Sequence, residues 1–149
     1  MEILKPKKSE EIRKILKDIY GLELDGIFLL SGENKIRYFE GSIDIKTLSY
    51  LMKNFSIETI GIYLGKIFND EIRLSFDAAS LFKDQITKNI IEISKEEVEQ
   101  WFKGFNLQKD ARNGFYVIKY KDVIGCAKLS NKTIYNYVPK EKRFRKGIL

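Results

Sequence analysis

The stretch GFYVIKYKDVIGCAKLSNKTIYNYV, residues 114–138, decides how the second half of the chain folds. Apolar and polar residues alternate along it, and polar turn residues interrupt it twice, which is typical of antiparallel strands joined by tight turns. We predict strands over Gly114–Tyr120, Val123–Leu129 and Thr133–Val138, the last one ended by Pro139. The second half therefore centres on a three-stranded antiparallel unit.

A strand and a helix are predicted immediately before this unit. Residues 89–93 have the length and the apolar content of a short strand. Ser94 and Glu97 have the spacing of a capping box, and Gly104 stands where a left-handed residue ends a helix. Residues 105–113 are predicted to be a polar connection.

The first half of the chain mixes helical and strand patterns. One helix is predicted between Ser9, as its N-cap, and Gly21, and a second helix after Asp44. Two hairpins are predicted in this half, at 26–39 and at 58–76. A third, short helix is predicted at 78–82, with Asp77 as its N-cap. The whole pattern predicts an α+β protein with a small α/β domain at 1–85 and a β-rich domain at 86–149.

The charge of the chain is concentrated near its C-terminus. The sequence has 27 Lys+Arg and 21 Asp+Glu, a net charge of +6, and residues 119–149 alone have 9 basic and 2 acidic side chains. Such an asymmetry favours a polyanionic partner, most often nucleic acid. The alternative is that the lysines only keep the protein in solution.

The sequence has few residues suited to catalysis. It contains no histidine, which excludes Ser–His and Cys–His nucleophile pairs and histidine-ligated metal sites. Its one cysteine, Cys126, rules out an intrachain disulfide and a cysteine-clustered zinc site. No glycine-rich phosphate loop follows a predicted strand. We therefore expect no catalytic residue, no metal and no cofactor, and we expect Cys126 to be a small buried side chain.

Nothing in the sequence predicts a membrane protein. No apolar run approaches the roughly 18 residues that a membrane span needs. The first residues have no apolar segment of the kind that a secretory signal contains. The expected location is the cytoplasm.

Cations and aromatic side chains are interleaved in the last part of the chain. In RNA-binding proteins, cations bind phosphates and flat side chains stack on unpaired bases. The candidate RNA-binding residues are Lys119, Lys128, Lys132, Tyr135, Asn136, Tyr137, Lys140, Lys142, Arg143, Arg145 and Lys146.

Two questions stay open for these candidates. Tyr135 and Tyr137 share one face of a predicted strand, so a place in the core and a place in a base-stacking surface are both compatible with their spacing. The cations after Pro139 cannot be core residues, so for them the choice lies between phosphate binding and solvation.

Two parts of the chain resemble known families. IGIYLGKIFNDEIRLSFDAASLF, residues 60–82, is similar to the end of the first domain of the archaeal and eukaryotic large-subunit ribosome biogenesis factor with a PUA domain. ISKEEVEQWFKGFNL (93–107), GFYVIKYKDVIGCAKL (114–129) and IYNYVPKEKRFRK (134–146) resemble the PUA-like C-terminal part of Sun-type RNA cytosine-5 methyltransferases. The elements of that C-terminal part are matched by Gly125, Lys128, Asn136, Pro139, Lys140 and Arg143.

The resemblance implies a pre-PUA domain followed by a PUA-like β-barrel that binds RNA. The catalytic part of the methyltransferases has no counterpart in this sequence. We therefore expect a non-catalytic protein that binds structured tRNA or rRNA in RNA modification or ribosome biogenesis. Its partner would be an RNA-modifying enzyme or a ribosome assembly factor. The alternatives are an accessory protein-interaction subunit of an RNA-modifying enzyme, or an RNA methyltransferase-related enzyme in its own right.

Overall fold

The computed structural model describes residues 1–57 and 59–136, which form two five-stranded sheets and four helices. The first sheet is antiparallel throughout, and its strands lie side by side in chain order. These strands are β1 (Glu2–Ile3), β2 (Ile27–Ser31), β3 (Lys35–Phe39), β4 (Ile62–Phe68) and β5 (Glu71–Leu74). The two predicted hairpins are therefore confirmed as β2–β3 and β4–β5, whereas the two-residue strand β1 was not predicted.

Helices cover both faces of this sheet. Helix α1 (Pro6–Tyr20) contributes Ile12, Leu16 and Tyr20 to the main hydrophobic core. Helix α2 (Ile45–Asn54) packs on the opposite face, where Leu48 forms a smaller cluster with Leu29. A short helix, α3 (Phe76–Leu81), follows β5.

Two of the predicted helix ends in this half are confirmed. Gly21 ends α1 in the left-handed conformation with φ 67°, which glycine adopts without strain. Asp44 caps α2, since its carboxylate accepts from the backbone N–H of Thr47 at 2.7 Å.

Two predicted N-caps are wrong. Helix α1 begins at Pro6, because proline suits the first helical turn, and Ser9 is a buried residue inside that helix. In α3 the cap is Ser75, whose hydroxyl accepts from the N–H of Ala78 at 3.0 Å, and Asp77 lies in the first turn. In both cases another residue upstream already starts the helix.

The second sheet has the strand order β6-β8-β9-β10-β7. Its strands are β6 (Ile90–Glu92), β7 (Leu107–Gln108), β8 (Gly114–Tyr120), β9 (Asp122–Ser130) and β10 (Thr133–Ile134). Strand β6 is parallel to β8, and the other pairs are antiparallel. Strand β7 lies in the predicted polar connection and was missed, because only its pairing with β10 defines it.

Helix α4 (Lys95–Phe102) closes one face of the second sheet. Its capping box is present: the Ser94 hydroxyl accepts from the Glu97 N–H, and the Glu97 carboxylate accepts from the Ser94 N–H, both at 3.1 Å. Trp101 packs there with Ile118 and Leu129. The opposite face of β8 and β9 therefore points toward the first half of the chain.

The main hydrophobic core contains residues of both halves of the chain. Phe115, Val117 and Val123 of the second sheet belong to the same cluster as Tyr20 and Ile72. The predicted division at 85/86 stays a prediction, and the shared core places the groove described below at the junction of the two sheets.

Candidate nucleic-acid interface

Strands β9 and β10 bring Lys128 and Tyr135 together. Ile134 pairs with Leu129, and the next residue, Tyr135, donates its backbone N–H to the Lys128 carbonyl at 3.1 Å. Residues opposite each other on antiparallel strands share a face, with Cβ atoms about 5 Å apart. Lys128 is exposed and Tyr135 is 40% exposed, so Tyr135 is not a core residue.

Phe115 lies beside Lys128 and contacts the first half of the chain. In the register of β8 and β9, Phe115 lies opposite Lys128. Its ring stacks on that of Phe68 at the end of β4, with centroids 5.4 Å apart and planes at 30°. Phe115 is buried, whereas Phe68 is 37% exposed. The stacked pair therefore presents one aromatic ring to solvent.

A groove of about 530 Å³ surrounds the exposed ring, and we call it the Phe68 groove. Its walls come from the β4–β5 hairpin and from the second sheet: Phe68, Asn69, Asp70, Glu71, Arg73, Phe115 and Lys128. Lys66 Nζ and Arg73 Cζ lie 5.5 and 5.8 Å from the centroid of the Phe68 ring. Aromatic surface flanked by cations is the chemistry that binds a nucleotide, by stacking on the base and by attraction of the phosphate.

Two other candidate lysines lie apart from the groove. Lys119 stands near the far end of β8, four residues from Phe115. There the Asp122 carboxylate accepts hydrogen bonds from the Val123 N–H and from Lys83, which hold its pKa below its usual value, and the charge of Lys119 adds a smaller effect in the same direction. Lys132 lies in the turn before β10, 3.8 Å from the Asp110 carboxylate. The described candidates therefore do not form one cluster.

Asn136 holds the end of helix α4. Its side-chain amide donates to the carbonyls of Trp101 at 2.6 Å and Phe105 at 2.9 Å. Its backbone N–H donates to Oδ1 of Asn106 at 2.9 Å. These bonds fix the chain that follows β10 against α4 and give Asn136 a structural role, while its contact with a base stays a prediction.

The remaining candidate residues lie outside the described residues. They are Tyr137, Lys140, Lys142, Arg143, Arg145 and Lys146. Their assignment as RNA-binding residues stays a prediction.

Cys126 faces the junction of the two halves. Its Sγ lies 3.6 Å from the Tyr20 hydroxyl, and burial raises the pKa of the thiol to about 11. At neutral pH the thiol is therefore protonated, which disfavours a role as a nucleophile. Within the described residues there is no group of three or more carboxylates or thiols placed to hold a metal ion.

The groove residues of the first half were missed by the sequence interpretation. Phe68 and Arg73 lie in a hairpin that the sequence predicts, but the stacking of Phe68 on Phe115 is a contact between residues far apart in the chain. The one local signal is Phe68 itself. It is a large apolar residue directly before the polar turn Asn69–Asp70, where exposure is to be expected.

Residues 88–144 match the family model described as "Methyltransferase RsmF PUA domain". This part of the chain is therefore similar to a PUA domain, and it resembles the C-terminal part of Sun-type methyltransferases. The expected α+β fold with a PUA-like barrel is confirmed, since the structure has helices and two sheets, one of them a curled half-barrel. A PUA domain is an RNA-binding module rather than a catalytic one. No curated protein matches the sequence.

Across residues 1–57 and 59–136, none of the helices has the length and apolar character required to cross a bilayer.

Proposed function

We propose that this protein is a non-catalytic RNA-binding protein that holds a structured tRNA or rRNA, in RNA modification or ribosome biogenesis. The observation that carries the proposal is the PUA domain at 88–144, in the half of the chain that holds the excess positive charge. A separate RNA-modifying enzyme or a ribosome assembly factor would act on the RNA that it holds. The protein would work in the cytoplasm.

The geometry around Lys128 supports a nucleotide-binding role. Phe115 of β8, Lys128 of β9 and Tyr135, directly after β10, are neighbours, and Phe68 adds an exposed ring beside them. In this arrangement Lys128 would neutralise a phosphate, and Tyr135 or Phe68 would stack on an unpaired base. Recognition would follow the shape and backbone of the RNA more than its sequence.

Fluorescence anisotropy with labelled bulk tRNA and with rRNA fragments tests the proposal over salt concentrations from about 50 to 200 mM. The logarithm of the binding constant is plotted against the logarithm of the salt concentration. Several phosphate contacts give a steep line, because each contact on single-stranded RNA contributes about −0.7 to its slope. Absence of binding at the lowest salt concentration, or a flat line, contradicts the proposal.

Substitutions then test the surface. Lys128→Ala should make the line shallower by about 0.7, and Tyr135→Ala should weaken binding about tenfold, since stacking on one base contributes about 1–3 kcal/mol. Lys95→Ala is the matched control, because Lys95 is an exposed lysine of α4, on the opposite face of the second sheet. If Lys95→Ala and Lys128→Ala changed the affinity for RNA equally, Lys128 would not belong to the RNA-binding surface.

A further inference from the structure

A row of three cations crosses the first sheet. Lys35 of β3 lies opposite Lys66 of β4, and Lys66 lies opposite Arg73 of β5. Residues paired in this way project from the same face, and neighbouring strands are about 4.8 Å apart. The three side chains therefore stand side by side across a width of about 10 Å.

The row lies on the face of the sheet that points away from the main core. Ile36, Ile67 and Ile72, which are adjacent to the three cations along their strands, are buried in that core. Helix α2 covers the outer face near β2. The β3–β5 part of the outer face holds the cations, of which Lys35 is exposed and the other two are half-buried.

The pairing of Lys35 with Lys66 is unfavourable for the protein on its own. Like charges directly opposite each other destabilise a sheet, whereas opposite charges at the same positions would stabilise it. Among the described residues, no carboxylate forms an ion pair with Lys35 or Lys66. Proteins break such rules mainly at functional sites, and an anion bound to this face would offset the repulsion.

The row is continuous with the Phe68 groove. Arg73 belongs to both, and Lys66 lies over the Phe68 ring. Because Phe68 stacks on Phe115 and Phe115 lies opposite Lys128, positive side chains follow one another from β3 of the first sheet to β9 of the second. Two carboxylates, Asp70 and Glu71, line the groove as well, so the excess of positive charge is greatest over the row itself.

We infer that Lys35, Lys66 and Arg73 form a second phosphate-binding surface, which extends the path of the RNA from the PUA domain onto the first half of the chain. This inference rests on the proposed function. The segment bound there is single-stranded RNA, because its phosphates follow the row of cations while its unpaired bases reach the exposed ring of Phe68.

The experiment compares two double variants that remove the same charge. Lys35→Ala with Lys66→Ala removes two members of the row, and Lys46→Ala with Lys53→Ala removes two exposed lysines of α2. The probe is a fluorescein-labelled oligouridylate of about 20 nucleotides, and anisotropy gives its affinity at several salt concentrations. Thermal unfolding followed by circular dichroism serves to establish that both variants are folded at the temperature of the binding measurement.

We expect the row variant to bind about tenfold or more weakly at about 0.1 M salt, with a salt dependence shallower by about 1.4 for two lost phosphate contacts. The α2 variant should stay within about twofold of the wild type.

Equal losses in the two variants would show an effect of net charge alone and overturn the inference, with RNA binding by the wild type intact. Failure of the wild type to bind either the oligouridylate or tRNA would overturn the proposed function as well. Polyglutamate of similar length serves as the acidic-protein probe. If it bound as tightly as the RNA and suffered the same loss in the row variant, the inferred ligand would be wrong.

Discussion

At the scale of single residues, Tyr20 connects the two halves of the molecule. Its side chain is fully buried, its hydroxyl donates to the Ile72 carbonyl, and it lies 3.6 Å from the sulfur of Cys126. Burial holds the pKa of Tyr20 well above its usual value, so the hydroxyl keeps its proton, and its hydrogen bond to the Ile72 carbonyl, into alkaline solution. One side chain of α1 therefore contacts both sheets.

The Tyr20→Phe variant should lower the free energy of unfolding by about 1–3 kcal/mol, because it removes the donor to a buried carbonyl. The matched control is Tyr116→Phe, since the Tyr116 hydroxyl donates to the Arg112 carbonyl at an exposed position where water can replace it. We expect a change of about 0.5 kcal/mol or less there. Urea unfolding followed by Trp101 fluorescence measures both, and equal losses would refute the special role of the buried hydroxyl.

Because of Cys126, the free energy of unfolding should fall as the pH rises through the alkaline range. Burial raises its pKa from 9.0 to about 11, so the unfolded chain loses the thiol proton at a lower pH than the folded protein does. The stabilisation is therefore fully present below pH 9 and is lost as the pH rises from about 9 to 11. Cys126→Ala should lose less stability than the wild type between pH 8 and 10.5, as measured by urea midpoints. An equally steep loss in the variant would contradict this prediction.

At the scale of elements, the sequence predicts best what local chemistry determines. The Ser94–Glu97 capping box, the Asp44 cap and the strand β8 follow from side chains within a few residues of one another. Strands β1 and β7 could not be predicted, because two residues carry no periodicity and only a distant partner strand orders them. The Phe68 groove was missed for the same reason.

Asn136 shows how an element depends on a residue far along the chain. Its amide bonds the last carbonyls of α4 and the loop after it, so Asn136→Ala should lower the free energy of unfolding by about 1–2 kcal/mol through the loss of two hydrogen bonds. Asn54→Ala is the comparison, because the Asn54 amide donates only within exposed α2, to Tyr50. We expect about 0.5 kcal/mol or less there. Thermal unfolding measures both variants, and an unchanged midpoint for Asn136→Ala would contradict the prediction.

At the scale of the whole molecule, the shared core should make the two halves unfold together. Phe115, Val117 and Val123 pack with residues of the first half, and removing either half would expose that surface. A cooperative unit of this size shows one transition that is the same for every probe.

The chain allows this to be tested with two probes that follow different halves. Trp101, the one tryptophan of the sequence, lies in the core of the second sheet, while most of the helical residues belong to α1, α2 and α3 of the first half. We expect the urea transition by Trp101 fluorescence to coincide with that by far-ultraviolet circular dichroism. Two separate transitions would show that residues 1–85 and 86–149 fold independently, and the RNA path across the junction would then join two bodies free to change their relative position.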